Sequence, residues 1–518
     1  MGTKELRYRL RTYHEKWLSV SDGRLIQAQA LSEHDVFIRS SNDGFQCETE
    51  GLSVADNNDG SVSLFGVLGW ISARKDGRVT AVDNNRAWEH FIPIPDRGSY
   101  KDLFAAGKAV SREEYERYSA ELFADAEQFI RSKKTIKVGF VLYDASMWCG
   151  DELYRLFEQN ERYQPTVFLC KRKGDTYRKD FETGLEQFRE RGLRVIGVCN
   201  SKMPVPYQDL LLLLTPYFKP LPEQFKDFSI AATQLLVNIP YSLGAGKFGE
   251  SHKSETEKLW WKTFAATNFQ AQIYSNKLIP RERIAFSGAP KMDALLSRHS
   301  LAYHWKQAQP DSIKIIWAPH WSVQDTDGSS TFRWNHQFFF EYAKAHPKTS
   351  WIVKPHPNLP ASAIKEKVFE NAEAFEEYLK RWDSLPNAKV VTGGYYQSIF
   401  ATSDGLINDS VSFIIEYQYT LKPMLMLTRN TTLLNDFGKQ IVDVNYQADG
   451  TDFNAIENFI NNVLHDHNDS KADARAKFFN SELNYQAING MSASNMIFHT
   501  INNALGRNTY ESHSLDDE

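Results

Sequence analysis

The chain has 518 residues, 42% hydrophobic and 13% aromatic, enough apolar surface for several buried cores and too long for a single small one. A net charge of −5 argues against a nucleic-acid binder, which carries a basic excess. Its four cysteines (Cys47, Cys149, Cys170 and Cys199) form no Cys-x-x-Cys pair, so neither a disulfide framework nor a thiolate metal site is expected.

Residues 1–97 read as a small β domain. "WLSVSDGRL" (17–25), "GLSVADNNDGSV" (51–62) and "WISARKDGRV" (70–79) each run as an alternating strand, an Asp-Gly turn and a second strand, a hairpin signature. "DVFIRS" (35–40) and "WEHFIPI" (88–94) supply further strands. The pattern resembles the β-trefoil repeats of fascin-like domains. The segment is short for three full repeats, so a truncated trefoil or another small β-fold also fits. Such a module would serve structure or self-association, or bind a sugar or partner.

Residues 98–134 form a connector. Its "SREEYERYSAELFADAEQFIRS" (111–132) has amphipathic spacing, with Ser111 as N-cap and Glu114 three residues on. From 135 the pattern alternates strands and helices. "KVGFVLY", "PTVFLC", "RVIGV", "DLLLLL", "QLLVNI" and "IAFSGAP" fill residues 135–300; "IKIIWAP", "SWIVKP", "AKVVTG", "GLIND" and "PMLMLT" belong to 301–508. Continuous apolar runs of this length are strands buried on both faces of a parallel sheet. Two such series predict an α/β architecture of two Rossmann-like domains facing across a cleft. Residues 509–518 read as an acidic, disordered tail.

Parallel sheets bind ligands beyond the C-terminal ends of their strands, so the residues just after each strand carry the information. After "GLIND" stand Ser410, Val411 and Ser412, then "FIIEYQYTL". Asp409 or Ser410 would cap that helix, whose first N–H groups suit a phosphate, and Glu416 could receive ribose hydroxyls. The plain alternative is that these residues only cap a helix. After "SWIV" come Lys354, Pro355, His356 and Pro357, in which two prolines stiffen the turn around the histidine. After "IKIIW" come Ala318, Pro319 and His320. Histidines at two successive strand ends suit contact with a diphosphate or proton transfer near neutral pH.

"WAPHW", "VKPHP" and "TSDGLINDSVSFIIEYQYTLKPML" resemble the C-terminal domain of the CDP-glycerol glycerophosphotransferase family, GT-B enzymes of teichoic acid and capsule polymer synthesis. The resemblance extends through "SGAPKMDALL" (287–296) and covers about 135–500. It implies a GT-B fold and metal-independent transfer from a CDP-type nucleotide-activated donor to a polysaccharide or lipid-linked oligosaccharide acceptor, with no cofactor. Carried onto this chain, it implies that His320 and His356 contact the donor phosphates. Ser410, Val411 and Ser412 would receive the diphosphate and Glu416 the ribose, with Asp409, Lys354 and Gly288 in the same donor site. Polymerising members carry a His-Gly-Thr motif in the N-terminal domain. The matching stretch here, "VNIPYSLGAGKF" (237–248), has no histidine. Asp144, at the end of the first strand, is the alternative base, and Tyr241 a substrate contact.

Three motifs mislead. "YSLGAGKF" contains Gly-Lys but has Tyr241 and Phe248 where a P-loop needs glycine and a hydroxyl. "DTD" (325–327) sits in a polar loop of a chain whose pattern does not suit a metal-dependent GT-A fold, and "HDHND" (465–469) reads as a solvated helix end. The expected protein is a cytoplasmic transferase, with peripheral contact at the inner face of the plasma membrane and oligomerisation left open. A GT-B nucleotide-sugar epimerase and a non-catalytic polymer-binding scaffold are the alternatives.

Overall fold

A computed structural model describes residues 6–506 except for short stretches, the longest being 29–36, 96–119, 172–179, 226–233 and 248–259. Cys47, the 325–327 triplet, Ser412, Phe248, the start of the 111–132 helix and the 509–518 tail lie outside the described residues.

The N-terminal strands are β1 (Leu6–Arg11), β2 (Trp17–Ser21), β3 (Arg24–Ala28), β4 (Phe37–Ser40), β5 (Gly44–Gln46), β6 (Gly51–Asp56), β7 (Val62–Gly66), β8 (Gly69–Ala73), β9 (Val79–Val82) and β10 (His90–Pro95). The three Asp-Gly segments form the hairpins β2–β3, β6–β7 and β8–β9, as their alternation predicts. Strands β1, β4, β5, β6, β7 and β10 pair in that order, and β10 returns to β1, so they close a ring. Closure removes the open edges that would invite aggregation. Leu10, Leu18, Phe37, Leu52, Leu64 and Phe91 are buried in its core. The β2–β3 and β8–β9 hairpins project from the ring, tied by the Gln27 amide, which donates to the carbonyls of Arg74 (2.6 Å) and Arg78 (3.1 Å).

The connector is helical over residues 126–132, and its Phe123, Ala126 and Ile130 join the core of the next domain. That domain holds β11 (Ile136–Leu142), β12 (Tyr163–Cys170), β13 (Val195–Val198), β14 (Leu210–Leu213), β15 (Leu235–Asn238), β16 (Trp260–Ala265) and β17 (Ile284–Phe286). All run parallel in the order β13-β12-β11-β14-β15-β16-β17. The second sheet holds β18 (Ile313–Ala318), β19 (Thr349–Val353), β20 (Ala388–Val390), β21 (Gly405–Asn408), β22 (Met424–Thr428) and β23 (Tyr446–Asp449), also parallel, in the order β20-β19-β18-β21-β22-β23. The expected pair of Rossmann-like domains is present. In each sheet the order reverses beside the first strand, which opens a crevice between β11 and β14 and between β18 and β21.

Three devices join the domains. The last helix, Ala493–Leu505, returns to the first domain, where Ile497, Phe498, Ile501 and Leu505 enter the core. Asp293, buried between the two series, caps that helix: it accepts from the N–H groups of Ala493 (2.8 Å) and Ser494 (2.9 Å) and the hydroxyls of Ser494 (2.7 Å) and Tyr485 (2.7 Å). The Gly244–Gly246 loop packs against the helix Asp436–Asp443, with Asn435 donating from its side chain to the Gly244 carbonyl (2.7 Å) and from its N–H to that of Ala245 (3.0 Å). The P-loop lookalike is therefore part of a domain contact. Among the described residues no helix is long and apolar enough to cross a membrane.

Candidate active site

β18 pairs with both β19 and β21, so the loops that follow these three strands meet at the second sheet's crevice. The Lys354 N–H donates to the Trp317 carbonyl (2.8 Å) and the His356 N–H to that of Pro319 (3.2 Å), which carries the strand pairing into the loops. The imidazoles of His320 and His356 consequently lie side by side, ring centroids 5.6 Å apart.

His320 is buried, and burial pushes its pKa down to about 4. Its Nδ1 lies 2.8 Å from the Ser322 hydroxyl and 3.0 Å from that of Ser329, and accepts from the Ser322 N–H at 3.3 Å. The half-buried His356 accepts the Asn358 N–H on Nδ1 at 3.1 Å. Lys354 is 9% exposed. Its ammonium lies 5.8 Å from the centre of the Tyr396 ring and makes no hydrogen bond or ion pair among the described residues. Burial draws its pKa down to about 8, against the favourable field of Glu416.

Asp409 was expected to cap the following helix or border the donor. Its buried carboxylate instead accepts from the N–H groups of His320 (2.6 Å) and Thr331 (2.5 Å) and the hydroxyls of Thr331 (2.9 Å) and Ser330 (3.1 Å). It fastens the loop that carries His320 to the start of the helix Phe332–Ala345, and burial raises its pKa. Ser410 is buried at the end of β21, and its N–H is already given to Asn408 Oδ1 (3.1 Å), so that backbone donor is not open to a phosphate. Val411 packs half-buried against the core shared by the two domains, and Ser412 is outside the described residues.

Glu416 is 4% exposed. One carboxylate oxygen pairs with Lys291 Nζ and the other accepts the Tyr396 hydroxyl. Each oxygen keeps a second lone pair beyond these partners. Lys291 also stands 5.2 Å from the centre of the Tyr241 ring, so Tyr241, Lys291, Glu416, Tyr396 and Lys354 form a continuous line across the cleft. Gly288, expected in the donor site, has φ +81°, and a Cβ there would lie 2.0 Å from the Tyr485 ring. Glycine is required by packing. Asp144 lies two residues past β11 beside the first sheet's crevice, where its Oδ1 accepts from the N–H (3.0 Å) and hydroxyl (2.7 Å) of Ser146 and caps a short turn. Lys291 and Tyr396 had escaped notice. Lys291 lies inside "SGAPKMDALL", which carried a visible signal; nothing local marks Tyr396.

A model of the CDP-Glycerol:Poly(glycerophosphate) glycerophosphotransferase family matches residues 242–502. The chain belongs to this family. The matched glycerophosphotransferase segment contains Lys291, His320, Lys354, His356, Ser410 and Glu416, whereas Asp144 and Tyr241 precede it. Among solved structures the chain is similar to the wall teichoic acid polymerase TagF, at 12% identity over 76% of this chain and 97% of that one, with a TM-score of 0.50. It is also similar to a UDP-GlcNAc 2-epimerase from Neisseria meningitidis bound to UDP-GlcNAc, at 15% identity over 71% and 99% of the two chains, with a TM-score of 0.45. At such identities the likeness to the polymerase shows the fold alone. Among curated protein sequences none matches. No group of three or more His, Cys, Asp or Glu side chains is placed to hold a metal ion among the described residues.

Proposed function

We propose that this chain moves a glycerol-phosphate, another polyol-phosphate or a glycosyl group from a CDP-type donor to a teichoic acid- or capsule-type polysaccharide, free or lipid-linked. Lys354 is the observation that carries the reading. A buried ammonium without a hydrogen-bonded partner among the described residues, on the loop that also carries His356 at the crevice of a Rossmann-like sheet, is incomplete until an anion joins it. Family membership supplies the class of anion, a nucleoside diphosphate carrying the group to be moved.

For a polyol-phosphate donor, the acceptor hydroxyl oxygen attacks the phosphorus that bears the polyol. The bond from that phosphorus to the bridging oxygen breaks, and its electron pair departs on the nucleoside monophosphate. The hydroxyl proton passes to a base, for which Asp144 is proposed, with Tyr241 beside the acceptor. Lys354, His320 and His356 stabilise the departing phosphate, with the residues at 410–412 and Glu416 completing the donor site; the reading invokes no metal. The β module is read as a truncated trefoil, supported by its closed ring and two projecting hairpins. The reaction is placed in the cytoplasm, with the acceptor presented at the inner face of the plasma membrane.

The test is nucleotide release from a panel of CDP-glycerol, CDP-ribitol, UDP-sugars and CMP-sugars, with and without teichoic or capsule oligomers. Release from a CDP-polyol that depends on the acceptor is expected. His356→Ala and Ser410→Ala should lower turnover by about 100-fold or more while the circular dichroism spectrum is retained. Release without acceptor together with an isomerised sugar would replace this reading with the epimerase. Tight CDP binding with no turnover across the panel would replace it with the scaffold.

A further inference from the structure

Both strand-end histidines use the same local device. In each, Nδ1 accepts the backbone N–H of the residue two places on: Ser322 for His320 (3.3 Å) and Asn358 for His356 (3.1 Å). A backbone N–H can only donate, so Nδ1 must carry its lone pair in both rings, and in the neutral imidazole the proton sits on Nε2. For His320 the device is reinforced. The hydroxyls of Ser322 and Ser329 lie 2.8 and 3.0 Å from Nδ1 and 2.9 Å from each other, and the Ser329 N–H donates to the Ser322 hydroxyl at 3.0 Å. With that N–H as its donor, the Ser322 oxygen is free to direct its own proton to Nδ1 or to Ser329. His320 Nε2 makes no hydrogen bond among the described residues.

We propose that Ser322 and Ser329 are positioning residues that hold His320 as a neutral Nε2–H donor, so that His320 acts as an uncharged hydrogen-bond donor to the leaving phosphate, not as an acid, base or cation. The inference rests on the donor-site reading above. Three further observations support it. The groups recorded against the His320 ring are a second imidazole, Trp321 and the two serine hydroxyls. Among the described residues the carboxylate bonded to this loop, Asp409, is spent on the His320 backbone N–H and on Ser330 and Thr331. Burial holds its pKa at about 4, so the ring is neutral across the working range of a cytoplasmic enzyme. A neutral imidazole beside another avoids the repulsion two imidazolium ions would suffer, and it needs no reorganisation when charge builds on the phosphate. Lys354 then supplies the positive charge.

The experiment uses the full-length protein labelled with 15N-histidine, the His320 and His356 signals picked out from those of its 14 histidines with His320→Asn and His356→Asn. Nδ1 of both rings should appear as the unprotonated nitrogen and Nε2 as the protonated one, and His320 should stay neutral from pH 8 to about pH 5. CDP at saturation should shift the His320 Nε2 signal without protonating that ring. Ser322→Ala/Ser329→Ala should lower kcat about tenfold with little change in KM and should broaden or exchange the His320 tautomer. Ser322→Thr/Ser329→Thr, which restores both hydroxyls, should recover it. An Nδ1–H tautomer, a His320 protonated at pH 7, or a double alanine variant with unaltered kcat and unaltered tautomer would overturn the assignment. The tautomer and CDP signals are read without turnover. A chain that shows them but transfers nothing contradicts the transferase reading and leaves the histidine assignment standing.

Discussion

Lys354 sets stability against binding. Its folded pKa of about 8 lies below the ordinary lysine value of 10.5, so between those limits the unfolded chain holds more protons and stability rises with pH. Below pH 8 the buried ammonium is a standing penalty of about 3 kcal/mol, since one pKa unit corresponds to about 1.4 kcal/mol. Lys354→Met removes the charge but retains an apolar stem of similar length against Tyr396. It should melt several degrees above wild type at pH 7 and bind CDP at least tenfold more weakly. Wild-type affinity should fall as pH rises through about 8, because an anion favours the protonated lysine; calorimetric titration at pH 6.5, 8 and 9.5 measures this. A Lys354→Met variant that binds CDP like wild type would remove lysine from the anion site. The same physics shows what the sequence could and could not convey at this scale. His320, Lys354 and His356 announced themselves because a histidine or lysine directly after a buried strand has few structural reasons to be there. Asp409 looked equally promising, but four donors from loops about 80–90 residues away claim its carboxylate, and no local pattern encodes those partners.

At the scale of elements, the parallel strands were legible where both faces are buried. Leu210–Leu213 is buried at every position, and a continuous apolar run is its direct signature; Thr349–Val353 is buried throughout as well, with the apolar run confined to Trp351–Val353. β16 and β23 escaped notice for opposite reasons. In β16 Lys262 and Thr263 interrupt the apolar run between Trp261 and Phe264, and β23, Tyr446–Asp449, is an edge strand with one buried residue. The segment 287–296 shows how much structure one short motif can hold. Gly288 gives way to the Tyr485 ring, Lys291 reaches Glu416, and Asp293 caps the last helix, so three positions of one short connection hold elements far apart in sequence. Gly288→Ala tests the packing account. A Cβ 2.0 Å from an aromatic carbon at positive φ has to displace the ring, with an expected loss of about 3 kcal/mol or more in urea unfolding. Gly288→Ala/Tyr485→Ala should lose less than the two single changes added together, because the clash is then gone. A Gly288→Ala protein as stable as wild type would return this glycine to the list of ligand contacts.

At the scale of the whole molecule, the two Rossmann-like domains are fastened and not simply hinged. One apolar cluster takes Leu243, Ala266 and Met292 from before β18 and Ile414, Ile415, Phe437 and Ile441 from beyond it, and Phe269 stacks on Phe437 with ring centroids 5.3 Å apart. The Lys291–Glu416 pair crosses the same boundary with side chains 9% and 6% exposed. Two charges so far from water attract strongly but have lost most of their hydration, so the net worth of the pair is small while the cost of breaking it is large. Lys291→Met leaves Glu416 buried with only the Tyr396 hydroxyl, and should destabilise by about 3–5 kcal/mol. Lys291→Met/Glu416→Gln removes both charges, keeps a hydrogen-bonding group for Tyr396, and should lie within about 1–2 kcal/mol of wild type. A double-mutant cycle in urea measures the coupling, and donor titration of the same proteins separates fastening from binding. If the pair only fastens the domains, the double variant regains both stability and CDP affinity. If Glu416 also receives the ribose, the double variant regains stability and remains weak for CDP by about tenfold. Single and double variants that are equally destabilised would mean that no favourable interaction links Lys291 to Glu416 across the cleft.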